Sequence, residues 1–228
     1  MYQPINVTYE AVTSIYRANQ ILQSLDVPLI ACDFEAATTL SDTERASLTA
    51  LLDTDLPRLE RIRIEAQLAA TALDHPSYST LTHFQLAHSE DFAYVFIINS
   101  PQMLRRIVTW LVSTPIKQVW HNATYDFSRI YYYTQRFPQN YEDTAVLAKC
   151  ILNHVNTNLA TVGLKELAGK WYGSWAVSPD SFDLSQQYDE KLLLYSATDA
   201  CATWKLWHSI QAHLESLCPS SPSTESTT

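Results

Sequence analysis

The stretch Val27-Pro28-Leu29-Ile30-Ala31-Cys32-Asp33-Phe34-Glu35-Ala36-Ala37 constrains the fold more than any other part of this chain. A run of small and apolar residues this dense reads as a strand buried on both faces, and such a strand carries carboxylates only where something pairs with them. Side chains alternate along a strand, so Asp33 and Glu35 point to one side and Phe34 to the other. Both carboxylates can then reach one point just past the strand, as a metal ion requires. Taken alone, Asp-x-Glu also fits two solvated acids at a strand end.

The remaining pattern supplies neighbours for that strand. Ile5 to Thr13 alternates enough for an opening strand, and Ser14 to Ser24 has Ile15, Ala18, Ile21 and Leu22 at helical spacing. After the acidic strand, Ser41-Asp42-Thr43-Glu44 is a capping-box pattern predicting a helix through Leu52. A second helix is predicted from about Pro57 to Leu73, with Leu59, Ile62, Ala66, Ala69 and Leu73 packing inward and Arg58, Arg61 and Glu65 outward. Ser79 to Leu86 and Phe92 to Ile98 flank the polar turn His88-Ser89-Glu90-Asp91 and read as a hairpin. Ser100-Pro101 caps a helix with Leu104, Ile107, Val108 and Leu111 on one face. Val119-Trp120 reads as a short strand, and the chain turns helical from Asn122 to about Tyr133. Further helices are predicted from Glu142 to Leu152, Val162 to Trp171 and Glu190 to Leu217. The Ser-, Thr- and Pro-rich tail, 218–228, is expected to be disordered. Strands in the first half and helices in the second imply one mixed α/β domain over 1–217, with a helical insertion at about 40–78.

Composition removes several function classes. Three glycines in 228 residues leave no Gly-rich phosphate loop, and there is no G-x-S-x-G. Cys32, Cys150, Cys201 and Cys218 are scattered without zinc spacing, so they read as reduced thiols. No segment is long and apolar enough to span a bilayer, and the start of the chain is not a signal peptide, so a soluble, cytoplasmic protein is expected. A net charge of −9 argues against nonspecific DNA coating. It is compatible with a nuclease whose acids hold divalent cations, because the cations then face the phosphate.

Two further motifs join the first. His121-Asn122-Ala123-Thr124-Tyr125-Asp126 places an acid in the first turn of a helix directly after a short strand. Tyr195-Ser196-Ala197-Thr198-Asp199 places a phenol and an acid four apart, on one face of the last helix. Each is commonplace alone; their order and context are not. The sequence resembles the proofreading-type 3′–5′ exonuclease domain of family A DNA polymerases, within the ribonuclease H-like group whose sites hold four acids, Asp-Glu-Asp-Asp. It looks like the subclass with a tyrosine in the third motif (DEDDy). Asp33 and Glu35 match the first motif, Asn122 and Asp126 the second, and Tyr195 and Asp199 the third. The segments Glu142 to Ala148 and Gly163 to Ala168 are also similar to this family. Three departures stand out. Ala36 replaces a common Thr, about forty residues intervene before the second strand, and Leu194 occupies the position that is histidine in the sister subclass.

The resemblance implies two divalent ions, Mg²⁺ by default because every ligand is a hard oxygen, with Mn²⁺ able to substitute. It implies that Asp33 bridges the ions, Glu35 and Asp199 complete the first, and Asp126 holds the second through water. Tyr195 is expected to orient the attacking water, since an unperturbed phenol titrates near about 10. Phe34, Leu40, Tyr125 and Tyr131-Tyr132-Tyr133 are expected to contact splayed 3′ bases, and Asn122 to contact the terminal nucleotide or cap its helix. Three functions are compatible with this set. The first is a 3′–5′ exonuclease on single-stranded or frayed DNA 3′ ends, proofreading in trans for a polymerase on a separate chain, since no polymerase domain follows Leu217. The second is a ribonuclease D-like exoribonuclease. The third is an inactive scaffold of the same fold that binds a replication partner.

Overall fold

The computed structural model of the protein describes residues 4–38, 42–69, 79–154, 162–173, 175 and 186–217. The expectations for Leu40, Ser41, the end of the insertion, Cys218 and the tail concern residues outside these. Six strands form one sheet: β1 (Thr8–Val12), β2 (Leu29–Thr38), β3 (Ser79–Ala87), β4 (Phe92–Ile97), β5 (Lys117–Trp120) and β6 (Tyr141–Asp143). Their order is β1-β4-β3-β2-β5-β6. The β3–β4 hairpin and the β2–β3 pair are antiparallel, whereas β1 runs parallel to β4 and β5 runs parallel to both β2 and β6.

The two faces of β2 are sorted by side-chain alternation. Ile30, Cys32, Phe34 and Ala36 enter a core with helices α1 (Ile15–Ser24), α4 (Pro101–Leu111) and α5 (Thr124–Thr134). Ala31 enters the opposite core, with α7 (Leu164–Tyr172) and α8 (Glu190–Leu217). In this second core the sheet presents Ala31, Ala87 and Ala93, and α8 answers with Ala197, Ala200 and Cys201. Small residues on both sides let the helix lie close across β2, β3 and β4. That close crossing carries the Tyr195–Asp199 face to the Asp33–Glu35 face. A smaller apolar cluster joins α6 (Thr144–His154), α7 and α8 through Ala148, Leu206 and Ile210.

The structure corrects three expectations. Phe34 is 3% exposed, packed with its ring centroid 5.0 Å from Phe84 and 6.0 Å from Trp120, so it is a core side chain and cannot stack on a base. Within the insertion, α2 (Asp42–Leu52) and α3 (Arg58–Ala69) form, but α3 does not bury the predicted stripe. Leu59 is 82% and Ile62 49% exposed, while Ile64 is buried. Helical spacing identifies an apolar face, and packing chose a different one. The three-residue β6 has no counterpart in the sequence reading, which began a helix at Glu142; β6 ends at Asp143 and α6 begins at Thr144.

Candidate active site

The three sequence motifs converge. One carboxylate oxygen each from Asp33, Glu35 and Asp199 lies within 4.8 Å of the others. Asp33 and Glu35 stand on the same face of β2, opposite Gln85 and His83 on β3. The register shifts after Glu35, where Thr82 is the extra residue and its hydroxyl donates to the Glu35 carbonyl at 3.2 Å. The extra residue is on β3, so the bulge bends that strand where it lies beside Glu35. Next to it, His83 is wholly buried, with its ring 2.8 Å from the Gln187 carbonyl just ahead of α8.

Asp126 reaches the same place from the other face, through the first turn of α5, which follows directly on β5. It lies outside the three-oxygen cluster; the Asp33 charge acts on it, and its own charge acts on Glu35. It is 2% exposed, and its Oδ1 has no hydrogen-bond partner among the described residues. A buried carboxylate oxygen left this way is costly unless something positive meets it.

The turn before Asp126 is held by Asp143, not by Asn122. Asn122 is exposed and has a left-handed φ of 62°, and Ala123, at the start of α5, makes no side-chain cap. The Asp143 carboxylate accepts from the Asn122 N–H at 3.0 Å and the Ala123 N–H at 2.8 Å, and also from the Ala145 N–H at 2.8 Å in α6. The capping role expected of Asn122 therefore belongs to a residue 21 positions later. Thr144 adds a second tie, donating to the Trp120 carbonyl and meeting the His121 ring.

Burial is the first cause of every pKa displacement among the acids. Asp33 is pushed up to about 7 by desolvation and then by the Asp199 charge, against Lys165 and the Phe34 N–H. Glu35 and Asp126 are held well above the usual carboxylate range, by burial and then by Asp33. Asp199 is raised by burial and opposed by Lys165, Trp175 and Tyr195. Burial, followed by the Asp199, Glu35 and Asp33 charges, drives Tyr195 far above its ordinary value, so at neutral pH it is a phenol, not a phenolate. Tyr125 is raised in the same way, and the Arg129 guanidinium lies 3.5 Å from its ring centroid. It stands beside the acids, whereas Tyr131, Tyr132 and Tyr133 are exposed farther along α5.

Two side chains that the sequence reading did not single out complete the third motif. The Trp175 indole N–H donates to Asp199 Oδ1 at 2.6 Å. The Lys165 ammonium lies 3.3 Å from Asp199 Oδ2 and also donates to the Tyr195 hydroxyl. The one hint in the sequence was that Lys165 falls within the Gly163 to Ala168 segment.

Hard oxygens alone in the cluster, an orphaned buried oxygen on Asp126, and acids that resist ionisation without a counter-charge all fit a divalent cation of the Mg²⁺ or Mn²⁺ type. The fold and this acidic rim are those that a metal-dependent phosphodiester-cleaving enzyme needs. The profile of the 3′–5′ exonuclease family matches residues 9–215, and the chain belongs to that family, in its DEDDy subclass. It is a 3′–5′ exonuclease. A search among curated proteins finds no match. Solved structures show the same fold at low identity. The Aedes aegypti Nibbler EXO domain is 13% identical with a TM-score of 0.64, covering 95% of this chain and 94% of that one. Escherichia coli RNase D is 16% identical with a TM-score of 0.61, covering 92% of this chain and 46% of RNase D. Brucella melitensis NrnC is 15% identical with a TM-score of 0.58, covering 93% and 83%. Among the described residues no helix is long and apolar enough to cross a membrane.

The raised acids give a linkage that can be measured. A carboxylate whose folded pKa lies above its unfolded value stabilises the fold fully below the unfolded value, and that stability is lost as pH rises through the folded value. For Asp33 in the metal-free protein the window runs from the ordinary aspartate value of 3.8 to about 7. Metal binding needs the deprotonated acids, so the rise in melting temperature caused by Mg²⁺ is expected to grow across that window. Thermal scans in Mg²⁺ and in chelator, paired at each pH, cancel the contributions of His83 and His121. A Mg²⁺ shift that stays flat from pH 5 to pH 8 would count against the acids as ligands.

Proposed function

We propose that the protein trims single-stranded nucleic acid from its 3′ end one nucleotide at a time, with Asp33, Glu35, Asp199 and Asp126 holding two divalent ions, Mg²⁺ by default and Mn²⁺ in substitution. The observation that carries the reading is the convergence of three carboxylate oxygens within 4.8 Å, with a fourth buried acid beside them. Bound divalent ions supply a hydroxide-like nucleophile at neutral pH and relieve charge on the leaving 3′ oxygen. The chain's own groups do the rest. Asp33, Glu35 and Asp199 form the shared corner of the site, and Asp126 extends it from α5. Tyr195, neutral at working pH, orients the attacking water through its hydroxyl instead of removing a proton. Tyr125 and Leu40 keep their proposed contacts to the 3′ bases, and Asn122, exposed at the turn, its proposed contact to the terminal nucleotide.

RNA is the favoured substrate. Among the neighbours, NrnC is described bound to pGG, the Escherichia coli RNase D as an exoribonuclease in structured RNA processing, and the Trypanosoma brucei RNase D in complex with RNA U12. The DNA reading, with a polymerase on a separate chain as partner, rests on the motif resemblance to family A polymerase domains. A 5′-labelled single-stranded RNA and the matching DNA, each incubated with protein and Mg²⁺, decide between them. A ladder shortening from the 3′ end on RNA, at least about tenfold faster than on DNA, is expected. The reverse ratio selects the DNA reading, and folded protein giving no metal-dependent ladder on either selects the inactive scaffold.

A further inference from the structure

We propose that Lys165 is a positioning residue that stands in for the cation in the metal-free site: its ammonium ties Tyr195 to Asp199, and a divalent ion binding at Asp199 displaces it onto Tyr195 alone. This rests on the reading of Asp199 as a metal ligand. Lys165 lies in the first turn of α7, the end of a helix where a positive charge is disfavoured by the macrodipole. Its flanks explain why it is held there. Leu164 and Ala168 pack into the core under α8, which fixes the helix and aims the lysine stem at the third motif.

The contacts of Asp199 differ in how readily they yield. Oδ1 takes a short bond from the neutral Trp175 indole, which does not compete with a cation for charge. Oδ2 faces Lys165 at 3.3 Å, a long contact between opposite charges, with the lysine side chain 30% exposed and the aspartate 10%. A divalent ion offers that oxygen more charge at shorter range, so the lysine contact is the one that gives way. The ammonium does not leave the site. It is also bonded to the Tyr195 hydroxyl and lies 4.3 Å from the Tyr195 ring centroid, so it keeps the phenol in place after the exchange.

The test uses the full chain and Mn²⁺ as probe, with binding read by electron paramagnetic resonance and by thermal melting. Lys165→Met is expected to bind Mn²⁺ about fivefold more tightly than the wild type, because the internal competitor is gone. Its melting temperature should fall without metal and recover to the wild-type value with it. Lys165→Arg keeps the charge and should restore wild-type affinity. A purely structural lysine would lower both melting temperatures alike and leave affinity unchanged, and that result overturns the proposal. In the wild type, the Lys165 ammonium ¹⁵N–¹H signal, assigned by its loss in Lys165→Arg, should shift on adding metal. An unmoved signal overturns the proposal even where Lys165→Met fails to fold. A wild type that binds no Mn²⁺ overturns the metal-ligand reading itself, whereas wild-type binding with unchanged Lys165→Met affinity removes only the lysine's role.

Discussion

Replacing Asp33 with asparagine is expected to lower the exonuclease rate by about three to five orders of magnitude, equivalent to ~4–7 kcal/mol on the barrier. Asp33 is the acid with the most neighbours: its charge acts on Glu35, Asp126 and Tyr195, and Asp199 acts on it in turn. An amide in its place keeps the shape and removes the charge that two ions would share. The same change should move stability the other way. In the metal-free protein, Asp33 is a buried acid among like charges, so neutralising it removes a repulsion of about 1–2 kcal/mol. The expected result is a dead enzyme that melts at a higher temperature in chelator and is no longer stabilised by Mg²⁺. Thermal scans and the labelled-ladder assay, run on the same preparation, separate this from a folding defect. Retention of activity within tenfold of wild type would remove Asp33 from the proposed metal site.

Opposite signs of this kind indicate why the four acids were legible in the sequence. A strand as apolar as Leu29 to Ala37 has no reason of its own to carry two carboxylates, and Asp126 and Asp199 are buried where a soluble fold would place neither. Only the first motif is a local violation of burial rules that a linear pattern shows; Asp126 and Asp199 were legible through their order after it and the family resemblance. The strands and helices that deliver them were legible for the ordinary reason of periodicity, down to the capping serine at Ser100. The α3 stripe failed because Leu59 and Ile62 obey the helical period, and the period does not say what covers the face. Lys165 and Trp175 were not legible because their partner, Asp199, lies 34 and 24 residues away. A tryptophan in a loop breaks no rule that would mark it, and a lysine in a helix's first turn opposes the macrodipole by only about 0.3–1 kcal/mol, too little to single it out. Phe34 shows the converse. Its place between two site acids suggested contact with substrate, but strand alternation sends it into the core on the far side of the sheet.

Removing the Asp143 carboxylate, as in Asp143→Ala, is expected to destabilise the protein by about 2–4 kcal/mol and to slow the reaction by about 10- to 100-fold, although Asp143 is no part of the metal cluster. The carboxylate accepts from two N–H groups in the turn entering α5 and two at the start of α6, and among the described residues no other side chain caps α5. A charged acceptor serving several donors is worth more than a neutral one, and α5 and α6 would both lose their first-turn anchor together. The turn also contains Asn122 in a left-handed conformation, which asparagine tolerates better than other non-glycine residues. Without the carboxylate on its N–H and that of Ala123, the turn loses the bonds that fix its direction into α5, and Asp126, four residues on, loses its register with Asp33. Rate falls through geometry, since displacement of a site carboxylate by about 1 Å costs on the order of 100-fold. Asp143→Asn retains one acceptor oxygen and should recover a substantial part of both losses, which a change in charge near the ions alone would not allow. Urea titration and the labelled-ladder assay on the two variants measure the two effects. If Asp143→Ala unfolds at the wild-type urea concentration and cuts at the wild-type rate, the α5 turn is held by something other than this carboxylate, and the placement of Asp126 needs a different physical cause.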